Sequence, residues 1–155
     1  MFTDYLTTPL GPMEINASDT GIVSIHFKDQ ESNEIKSNTL TDNCKQQLKE
    51  YFASERTEFD LPLEQHGTDF QKQVWTALVD VKFGTVASYL NIAQAINNPK
   101  AIRAVGAANG KNPHTIIVPC HRIIGSNGTL TGYASGLERK SWLLQHESKG
   151  GLVLS

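Results

Sequence analysis

The pattern of apolar residues changes at Gly67, and this change constrains the fold more than any other feature of the chain. Before Gly67, the runs 1–8, 13–17 and 22–27 are short, β-prone and separated by turns that contain Pro and Gly, which is typical of a small antiparallel sheet. After Gly67, apolar residues recur at helical spacing. A chain of 155 residues is long enough for two small domains. We therefore predict an α+β N-terminal domain with a linker over residues 1–67, followed by a mainly α-helical domain over residues 68–155.

Two longer helices follow from spacing and capping residues. A helix over residues 41–54 is predicted because its apolar residues recur every four positions, and Cys44 on that face is interpreted as a small core residue. A second helix begins at the capping box Thr68-x-x-Gln71 and should end by Phe83-Gly84. The recurring apolar residues are Leu40, Cys44, Leu48 and Phe52 in the first helix, and Phe70, Val74, Trp75, Leu78 and Val81 in the second.

Two shorter helices are predicted in the middle of the second domain. Ser88 can cap a helix that runs through residue 96, and Asn98, with Pro99 at the first helical position, can start another over residues 100–109. Two short helices joined by a tight turn are a helix-turn-helix candidate.

The helix predicted over residues 100–109 carries few large side chains. Its small residues leave a nearly bare surface from which Arg103 projects. Such a surface permits the close approach of a partner, and it is also typical of tight helix packing inside a domain, so both interpretations are open at this point. The small residues are Ala101, Ala104, Gly106, Ala107 and Ala108.

The net charge of −2 hides an uneven distribution. Residues 1–67 carry 5 basic and 12 acidic side chains, a net −7, whereas residues 68–155 carry 9 basic and 4 acidic ones, a net +5. A positive second domain indicates a polyanionic partner. No stretch approaches the roughly 20 consecutive apolar residues of a membrane span, and the first residues lack the basic and apolar regions of a signal peptide. We therefore expect a cytoplasmic protein without a membrane partner.

The chain has two cysteines, Cys44 and Cys120, which excludes a disulfide framework and a four-cysteine zinc site. Cys120 lies in a Pro-Cys-His-Arg turn at the end of an apolar run. Cationic and hydrogen-bonding neighbours favour a thiolate, so this setting could lower the pKa of the thiol from its free value of about 8.5. The alternative is a buried structural cysteine.

The histidine next to this cysteine is a candidate base. Adjacent residues do not usually face each other, so His121 would act on Cys120 through a bridging water and would need a carboxylate to orient its ring. The residues alone do not choose among the four carboxylates of the second domain, which are Asp69, Asp80, Glu138 and Glu147.

The segment Pro119-Cys120-His121-Arg122, inside the apolar run 116–125, resembles the active-site signature of the O6-alkylguanine-DNA alkyltransferases, also called methylated-DNA-protein-cysteine methyltransferases. The resemblance runs through residues 68–147 and extends more loosely into the N-terminal half. It implies an α+β domain with an antiparallel sheet and a C-terminal domain that contains a winged helix-turn-helix. Further matching motifs are Thr68-Asp69-Phe70-Gln71, Asn98-Pro99-Lys100-Ala101, Arg103-Ala104-Val105-Gly106, Asn112-Pro113 and Leu143-Leu144-x-x-Glu147.

The resemblance also implies a reaction. Cys120 would take the alkyl group from O6 of guanine, and from O4 of alkylated thymine, in one irreversible displacement without metal or organic cofactor. His121 and Glu147 would form a water-bridged relay for the thiol proton. Asn112 would hold the turn before the cysteine, and the hydroxyl of Tyr89 would help to protonate N3 of the departing guanine.

The same resemblance implies how the lesion is reached. The partner would be double-stranded DNA that contains O6-alkylguanine, bound by a monomer, with cooperative binding left open. The helix with the bare surface would enter the minor groove, and Arg103 would fill the gap left by the flipped nucleotide. The other DNA-binding positions are Lys100, Ala104, Asn109 and Arg122, and the base pocket would include Tyr133, the main chain at Ile123, Ala134, Ser135 and Lys140.

Three other functions use some of these features. A damage-recognition module would bind the same lesions without an acceptor cysteine, and Cys120 argues against it. A winged-helix regulator would need base-reading side chains where the bare helix has Ala and Gly. A cysteine hydrolase would need turnover and an oxyanion site.

Overall fold

The structure, a computed structural model, describes residues 1–32 and 34–148. These residues form two compact units. The first comprises Met1–His66 together with Pro113–Thr115, and the second comprises Gly67–Asn112 and the residues from Ile116 onward. The linear division predicted after Gly67 thus misses one feature, because the chain returns to the first unit for three residues. No helix in the described ranges is long and apolar enough to cross a membrane.

The first unit contains the expected antiparallel sheet. Strands β1 (Phe2–Thr8), β2 (Gly11–Ala17) and β3 (Ile22–Phe27) pair in the order β1-β2-β3. The turn between β1 and β2 places Gly11 at a φ of 106°, in the left-handed region that favours glycine. Every second residue of β2 is buried, which is the pattern of a sheet with one face against a core.

Helix α1 (Thr39–Phe52) packs against this sheet and begins two residues before the predicted position. The side chain of Asn38 accepts a hydrogen bond from the Thr41 amide, while the Thr41 hydroxyl accepts one from the Asn38 amide. This reciprocal cap starts the helix earlier than the apolar spacing indicated. Cys44 is fully buried on the apolar face, which confirms its interpretation as a core residue.

Residues Pro113–Thr115 pair with the free edge of β3. The Ile25 amide donates to the Pro113 carbonyl at 2.8 Å, and the Thr115 amide donates to the Ile25 carbonyl at 3.2 Å. A ring nitrogen of His114 also lies 2.7 Å from the Ile22 carbonyl oxygen. Three residues carry no periodic signal, so this pairing was not predicted.

The second unit begins with helix α2 (Asp69–Val79), and the predicted capping box is confirmed. The Thr68 hydroxyl accepts from the Gln71 amide at 3.1 Å, and the Gln71 side chain accepts from the Thr68 amide at 2.9 Å. The buried Trp75 donates its indole N–H to the Ala108 carbonyl at 2.9 Å, so α2 is bound to the helix that carries Ala108.

The remaining elements of the second unit are short. They are β4 (Ala87–Ser88), α3 (Tyr89–Ala95), α4 (Ile102–Gly110), a 3-10 turn (Cys120–Arg122), β5 (Ile123–Ile124) and α5 (Leu137–Ser148). Strands β4 and β5 pair in parallel. The predicted cap of α3 is confirmed, because the Ser88 hydroxyl accepts from the Asn91 amide at 3.0 Å.

The predicted start of α4 is wrong. The Asn98 amide donates to the Ala93 carbonyl at 2.8 Å, the Asn97 amide donates to the Gln94 carbonyl at 3.0 Å, and Asn97 has a φ of 59°. These are the bonds of a Schellman motif, so Asn98 ends α3 and is not available to cap the next helix. Helix α4 begins at Ile102, and Lys100 lies in the turn before it.

Candidate active site

Cys120 lies at the start of the 3-10 turn, immediately after an inverse γ-turn. Pro119 has φ −82° and ψ 63°, and the Cys120 amide donates to the Val118 carbonyl at 2.8 Å. Proline fixes φ near this value, so the residue type matches the turn. The Arg122 amide then donates to the Pro119 carbonyl at 3.0 Å. The backbone on both sides of the cysteine is thereby held in tight hydrogen-bonded turns.

Asn112 is placed against the cysteine. Its side-chain amide donates to the Val118 carbonyl at 2.8 Å and lies 3.2 Å from Sγ of Cys120. One side chain therefore holds the turn and also contacts the sulfur. An N–H donor at this distance stabilises a thiolate more than a thiol.

The resting thiol is nevertheless hard to ionise. Burial raises the pKa of Cys120, and this effect outweighs the opposing hydrogen bond from Asn112 and the positive charge of Lys140. The sequence-based expectation of a lowered pKa is therefore wrong for the protein alone. Sequence neighbours indicated the charges near the sulfur but not that only 7% of the residue is exposed.

His121 points toward Glu147, which resolves the choice among the four carboxylates. Nε2 of His121 lies 2.6 Å from Oε2 of Glu147, and both side chains are buried. An ionised carboxylate only accepts hydrogen bonds, so the neutral ring carries its proton on Nε2, and Nδ1 has a lone pair that can accept a proton. Nδ1 is buried and has no hydrogen-bond partner among the described residues.

Arg122 completes a buried triad with this pair. Its Nε donates to Oε1 of Glu147 at 2.7 Å and a terminal nitrogen donates to Oε2 at 3.1 Å. The other terminal nitrogen donates to the Val81 carbonyl at 2.7 Å, and the guanidinium lies 5.7 Å from the ring centre of Phe83. Sequence reasoning missed this role, because nothing in the Pro-Cys-His-Arg segment tells an inward arginine from an outward one.

These contacts set the protonation states of His121, Arg122 and Glu147. Burial alone would raise the pKa of Glu147, but the charges and hydrogen bonds of His121 and Arg122 outweigh it and lower the pKa to about 2. Burial lowers the pKa of His121, and the nearby positive charge of Arg122 acts in the same direction, against the pull of Glu147. The arrangement at neutral pH is thus an ionised Glu147, a cationic Arg122 and a neutral His121.

Two of the expected DNA-binding residues lie inside the unit instead of at its surface. Arg122 is 5% exposed and is engaged by Glu147. Asn109 is 4% exposed and donates to the Cys120 carbonyl at 3.4 Å. Their assignment as DNA contacts is corrected, because a buried polar group with these partners cannot also reach a phosphate without breaking its hydrogen bonds.

The exposed side of α4 matches the bare surface expected from the sequence. Arg103 and Ala104 are exposed on α4, and Lys100 is exposed in the turn before it. The opposite side carries Val105 and Ala108, which are buried. Packing inside the unit is therefore confirmed for the buried face, and the approach of a partner stays a prediction for the exposed face.

The residues expected to form the base pocket lie in the loop between β5 and α5 or in these two elements. The Tyr133 hydroxyl is buried, has no hydrogen-bond partner in the described ranges, and burial raises its pKa well above the usual value. Lys140 is fully buried, and burial lowers its pKa to about 8. It donates to the Ile123 carbonyl, so the main chain at Ile123 is tied to α5.

The other expected pocket and site residues also lie on or next to this loop. Ala134 is exposed and Ser135 is half-buried, with the Ser135 carbonyl accepting from Arg139 at 3.1 Å. The Tyr89 hydroxyl lies 2.9 Å from the hydroxyl of Thr131, a residue that sequence reasoning did not single out. The loop between β5 and α5 thus makes hydrogen bonds both to the first residue of α3 and to the first turn of α5.

Comparisons with known proteins agree with this arrangement. Residues 69–149 match the family model described as 6-O-methylguanine DNA methyltransferase, DNA binding domain, and residues 1–65 match the one described as 6-O-methylguanine DNA methyltransferase, ribonuclease-like domain. The methylated-DNA–protein-cysteine methyltransferase of Methanosarcina barkeri is 42% identical over 153 residues, which cover 95% of this chain and 97% of that protein. The constitutive enzyme of that name from Bacillus subtilis is 45% identical over 150 residues, 90% of this chain and 91% of that protein.

A solved structure is similar over the same length. The crystal structure of Mycobacterium tuberculosis OGT in complex with DNA superposes with a TM-score of 0.87 and is 42% identical. The match covers 94% of this chain and 92% of that one.

Proposed function

This chain belongs to the 6-O-methylguanine DNA methyltransferase family, and on that premise we propose that it repairs alkylated DNA by moving the alkyl group of O6-alkylguanine to Cys120. One observation carries the proposal: the Cys120 sulfur lies 3.2 Å from the Asn112 side-chain amide, and the next residue, His121, has a buried Nδ1 without a hydrogen-bond partner among the described residues. A nucleophile and a candidate proton acceptor are thus adjacent in one turn, and Asn112, from outside that turn, supplies a hydrogen-bond donor to the nucleophile.

The reaction follows from these groups. The thiol proton passes through a bridging water to Nδ1 of His121, whose Nε2–H is held by Glu147. The sulfur then attacks the alkyl carbon, so that an S–C bond forms while the bond from carbon to O6 breaks. The electron pair of the broken bond stays on the purine, where the Tyr89 hydroxyl stabilises it by donating to N3. The guanine anion then takes a proton from solvent and His121 releases the thiol proton to solvent, so the protons balance.

The raised pKa of the resting thiol fits this order of events. A buried neutral cysteine is protected from oxidation and from other electrophiles, because the thiolate is the reactive form. When a substrate is present, transfer of the thiol proton to His121 makes Cys120 reactive. The thioether product is stable to hydrolysis, so each chain acts once.

DNA would be bound through the second unit. We assign α3, the Schellman turn and α4 to a helix-turn-helix, with the segment that follows β5 as its wing. The small exposed face of α4 fits a minor groove about 6 Å wide. Lys100 would contact phosphate, and Arg103 would replace the flipped nucleotide in the stack, where extrusion costs about a few kcal/mol.

The pocket would receive the flipped base between Tyr133, the main chain at Ile123 and the loop with Ala134 and Ser135, with Lys140 behind it. A base that has left the stack is recognised by its shape and polar edge, so an alkyl group on O4 of thymine is a second substrate of the same pocket. The net charge of +5 on residues 68–155 supports binding to a phosphate backbone.

The proposal is tested by the stoichiometry of transfer. Protein is incubated with an excess of duplex DNA that contains labelled O6-methylguanine, and Cys120→Ala is compared with the matched variant Cys44→Ala. We expect transfer to stop at one methyl group per chain, to persist in Cys44→Ala and to be absent from Cys120→Ala. Continued turnover would indicate a hydrolase, and binding without transfer would indicate a damage-recognition module.

Base flipping is tested separately. Arg103→Ala should slow transfer from a paired lesion much more than from a lesion in single-stranded DNA, because only the paired base must be extruded. Lys100→Ala should weaken both reactions alike, because a phosphate contact does not depend on pairing. Equal effects of Arg103→Ala on the two substrates would refute its role in extrusion.

A further inference from the structure

Tyr89 is held at its hydroxyl by another hydroxyl. The oxygen of Tyr89, the first residue of α3, lies 2.9 Å from Oγ1 of Thr131 in the loop between β5 and α5. The two residues are 42 positions apart in the chain, so this contact links two elements and is not a feature of local turn geometry. The ring of Tyr89 also passes Gly106 of α4, where an added Cβ would lie 3.8 Å from ring atoms.

The backbone of Thr131 is fixed by a buried cation. The ammonium group of Lys140 donates to the carbonyl of Thr131 at 2.7 Å, to that of Gly132 at 3.5 Å, and to that of Ile123. An ammonium group has three donors, and here three carbonyl oxygens surround it. Lys140 therefore fastens the loop to β5 and α5, and the side chain of Thr131 passes this restraint on to Tyr89.

We propose that Thr131 is a positioning residue for alkyl transfer, which holds the Tyr89 hydroxyl in place and donates to it when Tyr89 engages the departing purine. The inference rests on the proposed function. It adds a residue that acts through Tyr89 and not on the substrate itself.

The chemistry of two hydroxyl groups permits this exchange. A hydroxyl has one donor and two acceptor sites, and either oxygen of this pair can be the donor. Before reaction, the Tyr89 O–H can donate to Thr131. When that O–H turns to N3 of the purine, the Thr131 O–H can rotate and donate to the Tyr89 oxygen, which gains negative charge. Between these two hydroxyl groups the exchange requires only hydrogens to move, so the contact of 2.9 Å can be kept throughout.

The residue type at position 131 suits the role. Threonine is branched at Cβ, which restricts χ1 and keeps Oγ1 in one place. Valine has nearly the same shape without the hydroxyl, and serine has the hydroxyl without the branching methyl group. These two substitutions therefore separate the hydrogen bond from the packing of the side chain.

The experiment is a double-mutant cycle on single-turnover kinetics. Transfer from duplex DNA with O6-methylguanine is followed over a range of protein concentrations, which gives a maximal rate and a half-saturating concentration. The variants are Thr131→Val, Thr131→Ser, Tyr89→Phe and the double variant Tyr89→Phe with Thr131→Val. Thr129→Val is the matched control, because Thr129 is exposed in the same loop and its hydroxyl donates to Asn127 at 2.7 Å.

We expect Thr131→Val to lower the maximal rate about 5-fold, the equivalent of one hydrogen bond, and to leave the half-saturating concentration unchanged. Thr131→Ser should restore most of the rate, and Thr129→Val should match the unmodified protein. In the Tyr89→Phe background, Thr131→Val should have no further effect, because the group through which it acts is gone.

Three results would overturn the inference while the proposed function stands. The first is a maximal rate for Thr131→Val equal to that of the unmodified protein. The second is an equal loss with and without the Tyr89 hydroxyl, and the third is a loss that serine does not restore; either of these two would indicate packing only. Absence of transfer by the unmodified protein would refute the proposed function itself and the inference with it.

Discussion

Replacing Arg122 by methionine should strongly lower the free energy of unfolding, because Arg122 belongs to a buried ion pair. The guanidinium makes two charge-assisted hydrogen bonds to Glu147, at 2.7 and 3.1 Å, and the side chains are 7% and 1% exposed. Methionine fills a similar volume but removes both of these hydrogen bonds and the positive charge from beside the buried carboxylate. Removing one partner of a buried ion pair typically costs about 3–5 kcal/mol. For a chain of 155 residues this corresponds to a drop in Tm of about 10 °C.

The same substitution should change the pH dependence of alkyl transfer. Without Arg122 the negative charge of Glu147 acts on His121 alone, so the pKa of His121 rises. A protonated His121 cannot accept the thiol proton, and transfer is lost as pH falls through that pKa. The acid limb of the pH-rate profile should therefore move to higher pH in Arg122→Met.

The assay combines unfolding with kinetics. Thermal unfolding is followed by tryptophan fluorescence, which reports on the second unit because Trp75 and Trp142 both belong to it, and by circular dichroism. Arg56→Met is the matched control: Arg56 also donates its Nε to a glutamate, Glu50, at 2.8 Å, but both side chains are about one-third exposed, at 30% and 31%. An exposed pair adds little stability, so this variant should unfold close to the unmodified protein. The reasoning about the buried triad would be refuted if Arg122→Met had the same Tm as Arg56→Met. It would also be refuted if the acid limb of the pH-rate profile of Arg122→Met did not move.

Three further predictions concern thiols, acid and the turn. A thiol reagent should label Cys44 only on unfolding, because the residue is fully buried and burial raises the pKa of its thiol to about 12; peptide mapping that shows Cys44 labelled in the native protein would contradict this. Burial lowers the pKa of both His121 and His114, so the unfolded chain binds more protons below pH ~6.5 and the free energy of unfolding should fall as pH drops through that region. Urea unfolding at several pH values measures this, and a flat profile would argue against buried neutral histidines. Asn112→Ala should raise the pKa of Cys120 further and slow transfer, because it removes the donor 3.2 Å from the sulfur; the ultraviolet absorbance of the thiolate reports the titration, and an unchanged curve would count against that contact.

Local signals in the sequence predicted the elements whose stability is local. The reciprocal bonds of Thr68 with Gln71, and the bond from Asn91 to Ser88, are made between residues three positions apart, so residue type at two positions is enough to predict them. Short β-prone runs and the turn residues between them located the three strands of the first unit in the same way. The likeness of the motif around Cys120 to a known family then indicated the acceptor and its partners.

Features that depend on distant contacts were not predictable from such signals. The pairing of Pro113–Thr115 with Ile25, the inward direction of Arg122 and the contact of Thr131 with Tyr89 join residues at least 25 positions apart. The predicted start of α4 was wrong for a related reason, because an asparagine such as Asn98 can either cap the helix that follows it or end the helix that precedes it. Its bond to Ala93 decided between these two local possibilities.

The most direct test of the central claim is mass spectrometry of the protein after reaction with DNA. Equimolar protein and duplex DNA containing O6-methylguanine are incubated, with unmodified duplex as the control, and the intact mass and the peptide map are measured. The account predicts one added methyl group, located on Cys120, and none with the control DNA. Binding of the lesion without a change in mass, or a methyl group on Cys44, would contradict it.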